Sequence, residues 1–299
     1  MRDAAQDFSL PFTLSEPAPH TAPVVFNVPH AGRVYPQAFL DESRLDPLAL
    51  RRSEDAHVDR LFAGVVRLGA PLMVAHFPRA YLDLNREPGE FDPRLFLDKL
   101  PPDANIRSPR VAGGLGIIPR VVGDGQEIYA RRIPFAEGLA RVETLYKPYH
   151  RILRQRLIRT FADFGAVLLV DCHSMPAPTM ASSGRVRAEA APDIVLGDRF
   201  GMSCAPAVVA FVERALQSRG YSVARNRPYA GGYITEHYGA PANGRHALQI
   251  EISRSLYMDE KTLEPTAGFA RVAEDLLAVS ERLMHASAAL LSPWRVAAE

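Results

Sequence analysis

Two hydrophobic rhythms alternate along the chain. Val24-Val25-Phe26-Asn27-Val28 is a short apolar run closed by Pro29-His30-Ala31-Gly32, which predicts a strand followed by a turn. From about Pro47 to Leu68 the pattern predicts a helix, with Val58, Leu61, Phe62 and Val65 spaced three and four apart. Pro71 to Phe77 predicts a second strand, and Tyr81 to Asn85 a third that ends at Arg86. Residues 87–128 are rich in proline and glycine and show little periodicity, as expected of a long functional or partly structured loop. A helical pattern returns from about Pro134 to Phe164. It leads into Ala166-Val167-Leu168-Leu169-Val170, a continuous apolar run of the kind buried on both faces of a sheet. Asp193 to Gly197, Tyr221 to Ala224 and His246 to Ser253 predict further strands, with helices from about Cys204 to Ser218 and from about Leu263 into the early 290s. Strands alternating with helices indicate an α/β fold with a mostly parallel sheet. No stretch has the character of a linker, so a single domain spanning 1–299 is expected, with 87–128 as an insertion.

Composition narrows the function classes. In 299 residues, 35 Lys and Arg face 34 Asp and Glu, a net charge of +1, which provides no electrostatic footprint for nucleic acid or an anionic membrane. The apolar runs fall far short of the ~20 residues a membrane span needs. Met1-Arg2-Asp3 opens without the apolar core of a signal peptide. Cys172 and Cys204 exclude a disulfide framework and fit a cytoplasmic setting. A small-molecule partner is the expectation that remains; oligomeric state is left open.

Sites on open α/β sheets gather at the carboxyl ends of strands. His30 follows the first strand; Asn85 and Arg86 follow the third; Asp171, His173 and Ser174 follow the apolar run; Glu251 lies in the strand around 246–253. His30 reads as a metal ligand or as a loop histidine satisfied by backbone. His173 reads as a ligand facing a cleft or as a hydrogen-bonded core residue, with Asp171 two positions earlier on the same strand face. Glu54 and Asp55 both lean toward the apolar side of the expected helix. A buried carboxylate is costly unless paired or on a metal. Asp55 is the preferred third ligand and Glu54 its rival. Glu251, among Leu248, Ile250 and Ile252, reads as a general base or as the partner of an arginine such as Arg254. Arg79 and Arg86 offer guanidinium forks for a carboxylate or are plain surface charges, and Arg120 and Arg254 are weaker candidates. Gly231-Gly232 marks a close backbone approach or an ordinary turn.

These pieces together resemble a known family. NVPHAG at 27–32, DAHVDRLF at 55–62, RAYLDLNR at 79–86, DCHSMP at 171–176, DIVLGDRFG at 193–201, NRPYAGGYITEHYG at 226–239 and LQIEISRSLYMDE at 248–260 are similar, in this order, to the N-formylglutamate amidohydrolases. That family is in turn similar to the zinc exopeptidases, which implies a three-layer α/β/α fold with a mixed, mostly parallel sheet. The resemblance implies metal-dependent hydrolysis of N-formyl-L-glutamate to L-glutamate and formate, as in histidine degradation. It implies a divalent metal, zinc foremost, held by His30 and His173, with Glu251 as base; Asp55, with Glu54 its rival, is inferred as the third ligand and Arg79 as a donor to the oxyanion. Asn85 and Arg86 would hold the α-carboxylate and Arg254 or Arg120 the γ-carboxylate. Zinc carboxypeptidases carry a glutamate three residues after their first histidine; here that residue is Arg33, so the second ligand must come from elsewhere. Two other readings stand beside this one: an amidohydrolase of another N-acyl amino acid or short peptide, and a non-catalytic binder of an acidic small molecule.

Overall fold

The computed structural model describes residues 8–177 and 191–292. The extreme N-terminus, on which the signal-peptide reading rests, lies outside the described residues.

Seven strands form one sheet: β1 (Phe12–Ser15), β2 (Val24–Val28), β3 (Leu72–Ala75), β4 (Val167–Met175), β5 (Ile194–Gly197), β6 (Val223–Arg225) and β7 (Arg245–Ser253). Their spatial order is β1-β3-β2-β4-β7-β5-β6. β4 is parallel to β2 and to β7, and β5 is parallel to β6 but antiparallel to β7. The sheet is thus mixed and mostly parallel, and the fold is of the α/β class. β2 and β4 are buried along their whole length and β7 beyond its first residue, so the apolar run Val167–Val170 of β4 is covered on both faces and the polar residues of β4 and β7 are buried with it. Among the described residues, no helix is long and apolar enough to cross a membrane.

The chain forms two compact units. The first comprises the described part of Met1–Leu14, with Pro29–Ala56 and Met73–Gln155. Its core includes Phe39, Tyr81 and Tyr129, packed around the buried Arg141, whose guanidinium lies 3.8 Å from the Tyr81 ring centre. A second aromatic group joins Phe91, Phe96 and Phe135 edge to face. Gly32 is required where it stands, because a Cβ there would lie 2.1 Å from the Phe77 carbonyl oxygen. The second unit comprises Ser15–Val28, His57–Leu72 and the described parts of Arg156–Glu299. Its helix Gly268–Leu290 buries Val272, Leu276, Val279, Leu283 and Ser287 at three- and four-residue intervals, and it packs on helix Pro206–Gln217.

Several expected elements differ. The helix expected over 47–68 is three short ones, Pro47–Arg51, Val58–Phe62 and Val65–Leu68. Between the first two, His57 adopts the left-handed conformation (φ 67°), which no helix accommodates. The strand expected at 81–85 is a chain of turns: Tyr81 and Leu82 donate backwards to the Pro78 carbonyl. β1 was not expected from the sequence. Helix Phe135–Arg141 passes through one π-helical turn, Val142–Tyr146, into helix Lys147–Phe164. Within 87–128 the regular structure is the short helix Pro109–Ala112 and a 3₁₀ turn at Gly123–Gly125.

Candidate metal centre

The break in the expected helix creates the position of Asp55. Asp46 caps helix Pro47–Arg51, its carboxylate accepting from the Ala49 amide at 2.8 Å. Once that helix ends, the Asp55 amide donates to the His30 carbonyl at 3.0 Å, tying the acid to the turn after β2. Asp55 therefore comes from an irregular turn, not from a helix face as its spacing suggested. Its Oδ2 lies 3.5 Å from His30 Nδ1, and both residues are 1% exposed. Glu54, the rival, accepts from the Tyr35 hydroxyl at 2.8 Å and from Arg51 at 3.1 Å. Burial pushes the Glu54 carboxyl above the usual range, against the pull of Arg51 and Tyr35.

Asp83 is the residue of this region that the sequence did not single out. Its Oδ1 accepts from His30 Nε2 and from the Asn85 amide, each at 2.8 Å. Its Oδ2 accepts from Arg79 at 2.8 Å and lies 3.4 Å from an Arg86 nitrogen. Burial alone would raise its pKa, but the charges of Arg79 and Arg86 and the hydrogen bond from His30 outweigh it and hold the carboxyl well below the usual range. The signal available in the sequence was an acid between Leu82 and Leu84 and four residues after Arg79. Side chains on a later helix fix this irregular segment by its carbonyls. Arg141 donates to Tyr81 at 3.2 Å, the Tyr146 hydroxyl to Arg86 at 2.7 Å, and His150 Nε2 to Leu84 at 3.0 Å.

On the central strands the polar residues stand in register. Asn27, Asp171 and Gln249 lie side by side on β2, β4 and β7, and His173 pairs with Glu251 two residues further on. Asp171 Oδ1 accepts from Asn27 at 2.8 Å and its Oδ2 from His173 Nε2 at 2.9 Å. Gln249 repeats the device on β7, donating from Nε2 to Glu251 Oε1 at 2.9 Å. The Gln249 oxygen in turn accepts from the Gly232 amide at 3.1 Å. This contact needs Gly197, where a Cβ would come within 2.8 Å of the Ala230 backbone.

Both candidate histidines therefore have Nε2 on a buried carboxylate. In a neutral ring so held, the proton is on Nε2 and the lone pair on Nδ1. One donor atom each from His30, Asp55 and His173 lies within 4.8 Å of the others, and all three residues are buried. Two imidazole nitrogens and one carboxylate, with orienting carboxylates behind the rings, match the chemistry a divalent ion requires.

The remaining candidates are placed as follows. Arg79 is one quarter exposed, bonded to Asp83 and 4.0 Å from Asp55. Arg86 is buried and donates to the carbonyls of Leu115 (2.7 Å) and Asn85 (2.9 Å). Arg120 is held by Asp92 (2.9 Å) and Glu127 (2.8 Å), in a charge network with Arg94. Arg254 is buried and donates to the Ser174 hydroxyl at 3.1 Å.

A buried His–Asp–His group able to hold a divalent ion, in a mixed, mostly parallel sheet, makes this an α/β protein with a candidate metal centre. The particular family follows from comparison. The sequence model described as N-formylglutamate amidohydrolase matches residues 22–258, and the chain belongs to that family. It is 33% identical over 266 residues to the N-formylglutamate deformylase of Pseudomonas aeruginosa, covering 88% of this chain and 91% of that one. To the enzyme of the same name from Pseudomonas putida it is 31% identical over 274 residues, with the same coverage. The crystal structure of N-formylglutamate amidohydrolase from Ralstonia eutropha JMP134 superposes with a TM-score of 0.86 at 38% identity, covering 92% of this chain and 97% of that chain. A gene product of Agrobacterium tumefaciens shares the fold at 19% identity (TM-score 0.66; 96% and 99% covered).

Proposed function

We propose that this protein hydrolyses the formamide bond of N-formyl-L-glutamate, releasing L-glutamate and formate in a step of histidine breakdown. The observation that carries the reading is the buried group of His30, Asp55 and His173 in a chain of this family. That donor set fits a divalent ion, zinc foremost, which would supply Lewis-acid activation of water and of the amide carbonyl. Asp83 and Asp171 fix the ring orientation of the two histidines from behind.

Glu251 takes the proton of the attacking water and returns it to the departing amine. Its place on β7 beside His173 supports that role. Arg79, anchored on Asp83 and partly exposed, stabilises the developing oxyanion. Bonds to Leu115, Asn85 and Asp83 fix the plane of the Arg86 guanidinium, and a planar fork so held suits a substrate carboxylate. Asn85 shares that grip, and Arg254 takes the second carboxylate. Arg120, already held between two acids, is the lesser candidate. Gly231 and Gly232 let backbone approach the substrate. A cytoplasmic setting goes with the two buried free thiols.

The test is metal content and formate release from N-formyl-L-glutamate, with and without chelator, on one preparation. Chelator-sensitive formate release is expected. Bound metal without formate release would move the substrate to another N-acyl amino acid or short peptide. Neither metal nor activity after zinc is restored would leave a binder of an acidic small molecule.

A further inference from the structure

Gln249 is buried, carries no charge, and was not needed to explain the metal group. Its two ends are nonetheless bonded to unlike partners. One end meets the Gly232 backbone N–H, which can only donate, so that end must be the amide oxygen. The other end is then the NH₂ group, and it faces Glu251 Oε1 at 2.9 Å. An amide nitrogen only donates, so Oε1 must accept. The orientation of the amide is thus set by a backbone group, and it makes the side chain a donor toward Glu251.

From this chain of bonds we infer that Gln249 is a positioning residue for the general base: by donating to Glu251 Oε1 it fixes the plane of the carboxylate that takes the proton from water and returns it to the amine. The proposal rests on the role assigned to Glu251 above and deepens it. It also accounts for an amide at position 249 rather than the acid found at the equivalent place on β4. Asp171 faces a ring N–H and must accept, whereas Gln249 faces a carboxylate and must donate. A second carboxylate at 249 would set two acceptors against each other. Gln249 further ties the base to the 230–232 loop. That loop is pinned on its other side by the Thr235 hydroxyl, which donates to the Gly232 carbonyl at 2.9 Å.

Two measurements test it. The first is a double-mutant cycle on formate release with Gln249→Met and Glu251→Gln, the former keeping the side chain's length without its hydrogen bonds. Gln249→Met is expected to lower kcat about 10- to 100-fold, the scale of a misplaced catalytic group, with KM within about twofold and metal content unchanged. In the Glu251→Gln background the same substitution is expected to have no further effect, because it acts through Glu251. An equal loss in both backgrounds, or a loss carried by KM or by metal content, would overturn the proposal. The second needs no activity: a neutron structure of the deuterium-exchanged protein. It is expected to show both deuterons of the Gln249 amide on the nitrogen facing Glu251 and none on Oε1. A deuteron on Oε1, or an amide turned the other way, refutes the inference. Absence of formate release from the unaltered protein overturns the proposed activity and with it the base role of Glu251, and the neutron result then decides separately whether Gln249 fixes that carboxylate.

Discussion

Replacing Asp83 with Asn tests how much of the metal group depends on a residue outside it. The substitution keeps volume and removes one charge. Asp83 Oδ1 serves His30 and the Asn85 amide, while Oδ2 serves Arg79 and Arg86. An asparagine can reproduce only the first pair. With its oxygen toward His30, its NH₂ is set against two guanidinium donors where the carboxylate accepted at 2.8 and 3.4 Å. Removing one partner from a buried charge pair costs roughly 3–5 kcal/mol. Since half of the bonds survive, about 3 kcal/mol is expected, lowering the unfolding midpoint by roughly 5 °C for a chain of this size. His30 keeps a neutral acceptor in place of a charged one, so zinc affinity is expected to fall by about tenfold, the lower end for groups behind a ligand. Thermal unfolding of metal-free protein and zinc competition against a chromophoric chelator measure the two effects. The pH dependence has a definite sign. Asp83 titrates lower folded than unfolded, so its contribution is complete above the unfolded value of about 3.9 and is lost as pH falls through the folded one. In Asp83→Asn, that part of the acid destabilisation should disappear. A midpoint within 1–2 °C of the parent and zinc affinity within about twofold would refute the reasoning, because the buried charge cluster could then not be what holds His30.

Two further outcomes follow. Glu251→Gln is expected to reduce turnover by roughly 10²- to 10⁴-fold, the range for a lost general base, with metal content intact by elemental analysis. Loss of metal would instead make Glu251 a ligand. Gly32→Ala should cost about 2–3 kcal/mol in urea unfolding, because its Cβ meets a backbone oxygen at 2.1 Å and only a backbone shift relieves it.

The parts of the molecule legible in the sequence are those set by burial. β2 and the first half of β4 announce themselves as apolar runs, and His30 just beyond β2, His173 near the end of β4 and Glu251 near the end of β7 stand out against their apolar neighbours. Asp55 was visible as an inward acid, but through a helix that does not form there. The interruption depends on a left-handed His57, which no side-chain periodicity encodes. Asp83 was hidden because Tyr81 to Asn85 mimics an alternating strand, whereas its turns are fixed by side chains some sixty residues later in the chain. Gln249 was hidden because it looks like one polar position of a strand. Its role depends on a backbone amide 17 positions earlier, brought alongside only by the fold.

The π-helical turn at Val142–Tyr146 sets which side chains of this long helix share a face. Arg141, Tyr146 and His150 each hold a carbonyl of the 81–86 segment; Arg141 immediately precedes the turn and Tyr146 is its last residue, five positions later. In an α-helix five residues turn the chain by about 500°, which would carry Tyr146 roughly 140° round the helix from Arg141. The wider π turn brings the two back to one face, where both reach the 81–86 segment. Tightening that turn to α-helical geometry with all its residues kept would swing Tyr146 and His150 off their carbonyls while Arg141 stayed. The turn is thus what lets one helix grip the segment around Asp83 at three points.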